Sequence, residues 1–281
     1  MPLAPLSDVL TPANAKGYAV AGLVCLGWED ARAFAMAAQD VGAPVILQAG
    51  PGCREHTPLP VLGAMFRTLA ADVDVPVVAH LDHGASADEA QAAIDAGFSS
   101  VMYDGSRKPF GQNVAETAAI AEMARAAGVG SEGEIGFVGY DGGEASAGTD
   151  PEEAARFAVQ TGVDAVAVSV GNLHLQQGAG AALDEARIAA IQAMTGVPLV
   201  IHGGSGVPVA QRVRLARGSS IAKFNIGTEL RMAFGTALRD AVAADPRRFD
   251  RVAILRDTET PVRQAARAVI ETLWQGGGAS A

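Results

Sequence analysis

Three histidines, His83, His174 and His202, each close an apolar, β-branched run: VPVVAHLDH, AVAVSVGNLH and PLVIH. Three imidazoles with a fourth position left for substrate or water are the ligand pattern of a catalytic zinc ion. Asp82 precedes His83 directly, so a carboxylate able to move a proton would stand beside such an ion. A lone histidine at a strand end is more often hydrogen-bonded or solvated than metal-bound. Three of the chain's five histidines at equivalent strand ends reverse that expectation. Of the other two, His80 lies two residues before Asp82, deeper in its run, and reads as structural or supporting, while His56 in CREHTPLP reads as exposed.

Further polar groups end the neighbouring runs. Asp104 stands in MYDGS, Glu132 and Glu134 in SEGEIG, and Asn225 and Thr228 in KFNIGT. In IHGGSG, the N–H groups of Gly203 and Gly204 with the Ser205 hydroxyl can form an anion-binding nest, although an ordinary glycine-rich loop would read the same way. Asp104 could equally cap a helix, and Glu134 could be a satisfied carboxylate at the rim. GYDGGEASAGTDP reads as a mobile acidic flap.

Positioning these groups on one rim requires a particular framework. Eight apolar runs recur, at Ala19–Val24, Pro44–Gln48, Val77–Leu81, Ser100–Tyr103, Val129–Ile135, Ala165–Val170, Leu199–His202 and Ile221–Ile226. Alanine-rich stretches of helical period lie between them, among them Trp28–Gln39, Ala87–Ala96, Val114–Ala127, Pro151–Gln160 and Leu183–Met194. Ser86, Asp88 and Asp150 are placed to cap helices, and Gly42, Gly97, Gly128, Gly162 and Gly196 to close them. Strand and helix alternating eight times predicts an α/β fold, a single (β/α)8 TIM barrel over residues 1–274, with 275–281 a disordered tail. In such a barrel the C-terminal strand ends carry the chemistry, and here five of eight deliver an imidazole or a carboxylate.

Composition narrows the partners. A net charge of -10 and an isoelectric point near 4.9 disfavour nucleic acid and anionic membranes, which need clustered Lys and Arg. Cys25 and Cys53 cannot build a disulfide framework and form no CxxC pair. No signal peptide or membrane span is recognisable, so a cytoplasmic protein acting on a small molecule is expected. A homodimer or homotetramer is the expected assembly.

AHLDH, MYDGSRKPFGQNV, EIG, VGNLH, VPLVIHGGSGVP and KFNIGTEL occur in this order on successive strands, and through them the chain resembles the zinc-dependent class II ketose-bisphosphate aldolases. The resemblance runs from GYAV at 17–20 to NIGTELRMAF at 225–234. It implies cleavage of a ketose phosphate into a ketone donor, such as dihydroxyacetone phosphate, and an aldehyde. It implies His83, His174 and His202 as ligands of Zn2+ or another divalent metal, and Asp82 as the acid/base group. Asp104 and Glu134 match positions near a second or alternative metal. Gly203, Gly204, Ser205, Asn225, Gly227, Thr228 and the backbone of Leu175 match the substrate-holding loops, and a monovalent cation is a further cofactor the resemblance allows. Asp141 or Glu144 matches the flap carboxylate that serves the donor's proton.

The chain departs from that pattern in three places. The first strand reads AGLVCLGWED, without the family's asparagine; Gly50 in ILQAGPGC stands where a serine is usual; and HLQQGAGAALDE lacks a lysine. These departures point away from fructose 1,6-bisphosphate, toward another ketose phosphate or an adduct with fewer phosphates. Two other readings are a metal-dependent hydrolase, which the absence of an HxH pair on the first strand opposes, and a sugar-phosphate-binding barrel without turnover.

Overall fold

The computed structural model describes residues 3–178, 180 and 182–274; the expected tail at 275–281 lies outside the described residues. Eight parallel strands close into a barrel in sequence order: β1 (Val20–Val24), β2 (Val45–Ala49), β3 (Val77–Gly84), β4 (Ser100–Tyr103), β5 (Gly130–Ile135), β6 (Ala165–Val168), β7 (Leu199–Ile201) and β8 (Ile221–Ile226). Parallel neighbours need crossovers, which are supplied by α2 (Trp28–Val41), α3 (Pro51–His56) with α4 (Leu59–Ala71), α5 (Ala87–Asp95), α6 (Phe110–Ala126), α7 (Pro151–Thr161), α8 (Glu185–Met194) and α9 (Val209–Gly218). Helix α1 (Leu6–Lys16) precedes the barrel, and α10 (Thr228–Ala244) and α11 (Arg251–Trp274) follow it. None of the helices among the described residues is long and apolar enough to cross a membrane.

Two apolar layers follow from the period-2 alternation of the strands. Leu23, Leu47, Val77, Leu81, Val101 and Phe224 face the helices and pack with Phe34, Phe66 and Phe157. Val20, Ile46, Val78, Met102, Ala167 and Val200 face inward at the lower end, where Leu6, Val9 and Leu10 of α1 pack with them. Gly130 permits that packing: a Cβ there would lie 2.5 Å from Leu6 Cβ. Beyond this apolar plug the inward positions turn polar, so β3 runs Val78, His80, Asp82 on one face.

Boundaries depart from the sequence expectation for local reasons. Strand β3 does not stop at Leu81 but continues through Gly84, its register on β4 shifting between Leu81 and Gly84. The residue that turns is His83, at φ 53°, and not Gly84. Gly84 is needed because a Cβ there would sit 2.5 Å from the Met102 carbonyl oxygen. Strand β6 ends at Val168, two residues early, because the Ser169 and Val170 N–H groups donate to Thr149 Oγ1 and Asn172 Oδ1, both at 2.8 Å. Helix α8 begins at Glu185 behind its cap Asp184, and ends on an extended Thr195, so Gly196 is not its closing residue. Ser86 and Asp150 cap α5 and α7 as expected, whereas Asp88 lies inside the first turn of α5.

Candidate metal centre and active site

The three histidines converge. One nitrogen from each of His83, His174 and His202 lies within 4.8 Å of the others; His83 and His174 line a cavity of about 600 Å³, and His202 is fully buried beside them. Each ring is oriented differently. His202 is fully buried and its Nε2 faces Glu132 Oε1 at 3.0 Å. Behind Glu132, Lys223 Nζ donates to Glu132 Oε2 at 2.6 Å and to His80 Nε2 at 3.3 Å, and His80 Nδ1 meets Ser100 Oγ at 2.8 Å. On the other side, His83 Nδ1 faces Asp104 Oδ2 at 2.8 Å.

With carboxylates on their far sides, both rings carry their N–H outward, at His202 Nε2 and His83 Nδ1. Their remaining nitrogens, His202 Nδ1 and His83 Nε2, then point lone pairs at each other across 3.0 Å. That arrangement is unfavourable unless a proton or a metal ion sits between or beside them. Charge in the cluster agrees. Burial opposes a proton on His83, but Asp82, Asp104 and Glu134 outweigh it and hold its pKa up at about 10. Burial, with the positive charge of His83, pushes His174 down to about 4, and His202 is also held well below the usual imidazole range, by burial first and then by His83. One positive charge is thus drawn into the cluster while the other two rings stay neutral, as ligands must be. Glu134 adds an orphan: its Oε2 is buried without a hydrogen-bond partner, and burial, with Asp104 next, raises it to about 8. His83, Asp104 and Glu134 form a second group able to hold an ion, with His83 common to both. The donor set therefore fits a divalent cation at either position.

Around the histidines the cavity is lined by Asp82, Leu175, Gly203, Ser205, Asn225, Gly227 and Thr228. Asp82 projects from the inward face of β3, and Asn225 Nδ2 approaches its Oδ1 at 3.4 Å. Gly203, at φ 64°, begins the turn after β7, where a Cβ would lie 2.0 Å from the Leu173 carbonyl oxygen. Ser205 Oγ accepts from the N–H groups of Gly227 and Glu229, both at 3.3 Å, and so sits at the N-terminus of α10. Gly204 lies close by against β8, where a Cβ would be 3.0 Å from the Asn225 carbonyl oxygen. Leu175 reaches the cavity edge at φ 59°.

Asp141 and Glu144 are not brought into the cavity. Both are exposed; Glu144 is held by Arg107 at 2.6 and 3.0 Å, and Asp141 donates its backbone N–H to the His174 carbonyl. Tyr140 of the same loop does line the cavity, stacking near His174 at 5.1 Å. Asp104 does not cap α6, which starts at Phe110; it accepts from the Ser106 N–H and hydroxyl and faces His83 instead.

Sequence reasoning missed two supports. Lys223 and Glu132 form a fully buried ion pair, and the signal was present: Lys223 lies two positions before Asn225 and Glu132 two before Glu134, on the same inward faces. Arg54 of α3 carried no such signal. Its guanidinium donates to the carbonyls of Ala49 and Asp82 at 2.6 Å each and of His83 at 3.1 Å, and pairs with Glu89 at 2.8 Å.

The chain is similar to known proteins over almost its whole length. A family described as "Fructose-bisphosphate aldolase class-II" matches residues 4–277. Among curated relatives, a fructose-bisphosphate aldolase of Geobacillus stearothermophilus is 35% identical over 96% of this chain and 95% of its own. A 6-phospho-5-dehydro-2-deoxy-D-gluconate aldolase of Shouchella clausii is 36% identical over 92% of this chain and 89% of its own. Among solved structures, the YdjI aldolase of Escherichia coli K12 superposes with a TM-score of 0.85 at 30% identity, covering 99% of this chain and all of that one.

Proposed function

We propose that this chain, which belongs to the class-II fructose-bisphosphate aldolase family, cleaves its ketose phosphate with zinc held by His83, His174 and His202. It is an aldolase, a metal-dependent carbon–carbon lyase that splits a ketose phosphate reversibly into a ketone donor and an aldehyde. The observation that carries the zinc assignment is the pair of facing imidazole nitrogens, 3.0 Å apart with their N–H groups committed to carboxylates behind them. Zinc held by these three residues would supply Lewis acidity to polarise the donor's carbonyl, so no Schiff-base lysine is required.

The protein's own groups do the rest. Asp82 takes the proton from the C4 hydroxyl as the bond to C3 breaks, and returns it to the aldehyde oxygen in condensation. Asn225, at 3.4 Å, orients that carboxylate. The donor phosphate, such as that of dihydroxyacetone phosphate, is held by backbone N–H groups of Gly203, Gly204, Gly227 and Thr228 with the Ser205 hydroxyl, at the positive end of α10. Asp141 or Glu144 exchanges the proton on the donor carbon, and either reaches it only with the 137–148 loop folded over the cavity, which for Glu144 means leaving Arg107. The substrate is a ketose phosphate other than fructose 1,6-bisphosphate, since Val24 and Gly50 offer no side-chain hydrogen bond at the cavity wall. Asp104 and Glu134 hold the ion in an alternative position. We also assign the protein to the cytoplasm, as a homodimer or homotetramer, with residues 1–274 one barrel domain.

The test is a screen of phosphorylated and unphosphorylated ketoses for aldehyde release, with metal content measured in parallel. Activity should fall with chelation and return with zinc, and His174→Ala should lose bound metal. Cleavage indifferent to chelator would overturn the zinc site, and fructose 1,6-bisphosphate as the best substrate would overturn the specificity.

A further inference from the structure

The structure assigns Tyr140 as the positioning residue of His174: its ring stands behind that imidazole where carboxylates stand behind the other two. The inference rests on the zinc reading of the same histidines, and goes beyond it by naming what fixes the one that no hydrogen bond orients.

The three rings are supported unequally. Asp104 faces His83 Nδ1 at 2.8 Å, and Glu132 faces His202 Nε2 at 3.0 Å. Such partners fix the tautomer and the plane of a ligating imidazole. The His174 ring makes no hydrogen bond with the described residues. The barrel does not hold it either. His83 lies within β3 and His202 directly follows β7, whereas His174 comes well after β6 has ended at Val168. Asn172 fixes the base of that loop, donating to the carbonyls of Val168 and His202 at 3.3 and 3.0 Å, but these bonds stop short of His174.

What holds His174 is the flap, the 137–148 loop. The His174 N–H donates to the Gly139 carbonyl at 2.8 Å, and its carbonyl accepts from the Asp141 N–H at 3.0 Å. Both backbone groups are thus committed to the two neighbours of Tyr140, and Tyr140 pairs with His174 in parallel register. The rings meet with centroids 5.1 Å apart and planes inclined by 32°. Within the cluster His174 touches the His83 and His202 rings, at 5.3 and 5.8 Å, so Tyr140 is its aromatic contact from outside. The hairpin that carries Tyr140 is itself braced. Tyr140 N–H donates to the Glu144 carbonyl at 3.0 Å, and Gly139 N–H to Ser146 Oγ at 2.9 Å. A Cβ on Gly139 would lie 2.2 Å from the Glu144 carbonyl oxygen, so the two arms are in close contact. The Tyr140 hydroxyl has no partner among the described residues, and the residue is 44% exposed. The ring face, and not the phenol, therefore does the positioning. The outer torsion of a histidine is broad, and a ring packed against the imidazole narrows it.

The experiment reads metal binding and needs no turnover. Zinc affinity by competition with a chromophoric chelator, the visible absorption of the cobalt(II)-loaded protein and the melting temperature of the metal-free protein are compared for wild type, Tyr140→Ala and Tyr140→Phe. Tyr140→Ala should bind zinc about 3- to 10-fold more weakly, the effect of one lost aromatic pair, and should shift the cobalt bands as His174 turns. Its metal-free melting temperature should stay at the wild-type value, because the ring lies on an exposed flap. Tyr140→Phe should match wild type in all three. Tyr140→Ala with wild-type affinity and cobalt bands overturns the inference. So does a Tyr140→Phe that weakens binding as much as Tyr140→Ala, since the hydroxyl would then be the support. An affinity loss matched by a lower metal-free melting temperature overturns it as well, since Tyr140 would then be a plain structural clamp. His174→Ala that binds zinc as tightly as wild type removes the zinc reading itself, and the inference with it.

Discussion

Replacing Arg54 by methionine should cost metal affinity as well as stability. The guanidinium holds the carbonyls of Ala49, Asp82 and His83, the ends of two adjacent strands, and its side chain is only 7% exposed. It also grips Glu89, whose other oxygen accepts from the Ala85 N–H, so α3, the end of β3 and the start of α5 are tied at one point. His83 needs that tie. A residue other than glycine at φ 53° is strained by ~1–3 kcal/mol and persists only where its surroundings hold it. Methionine keeps the bulk of the stem and deletes every hydrogen bond. Breaking a buried ion pair from one side costs about 3–5 kcal/mol. Glu89 is 28% exposed and can turn to water, which favours the lower end, about 3 kcal/mol. For a chain of this size that corresponds to a melting temperature roughly 6–12 °C lower.

The second effect separates a site support from a plain structural clamp. With the His83 carbonyl released, its backbone can relax and carry the imidazole away from His202, and losing a support behind a ligand typically costs about 10- to 100-fold in metal affinity. Thermal melts and a competition titration with a chromophoric chelator measure the two effects on the same samples. Ile191→Ala is the control: fully buried on α8, it should lose about 2–5 kcal/mol while binding metal as wild type does. If Arg54→Met melts lower but competes for zinc with wild-type affinity, the link from Arg54 to His83 is refuted.

Three further outcomes are expected. Asp82→Asn should keep its metal, since no histidine is touched, yet lose about 10²- to 10⁴-fold in kcat for cleavage; near-normal kcat would remove Asp82 from proton transfer. Lys223→Met leaves Glu132 unpaired behind His202 and should destabilise by about 3–5 kcal/mol, with Lys223→Met/Glu132→Gln recovering much of it in a double-mutant cycle. On the surface, Arg263 hydrogen-bonds Asp40 and holds its carboxyl below the usual carboxylate range, tying α11 to α2. A depressed folded-state value means this stabilisation is present above the unfolded pKa near ~4 and lost as pH falls through the lowered value. Both side chains are partly exposed, so Arg263→Gln should cost under about 1 kcal/mol at pH 7, and the two melting temperatures should converge as pH falls below the unfolded carboxylate value of about 4.

What could be read from the sequence is what each residue signals locally. The barrel was legible because eight apolar runs and the glycines between them are short-range patterns, and Gly42 and Gly162 do close their helices in the left-handed conformation. The rim was legible because a polar residue ending an apolar strand is conspicuous, and His83, His174, His202 and Asp82 all meet there. Arg54 was illegible for the opposite reason. Its partners are backbone carbonyls, which every residue carries, so nothing in PGCREH marks it as the group that holds Asp82 and His83 in place. The turn that ends β3 was hidden by the same blindness to long-range contact. Glycine reads as conformational freedom, but at Gly84 the Met102 carbonyl of the neighbouring strand leaves no room for a Cβ, and it is His83 that takes the positive φ. A histidine accepts that conformation at a cost because the Arg54 and Asp104 contacts repay it. The strain and the proposed metal ligand therefore share one residue, and any change that relaxes the first should be measurable in the second.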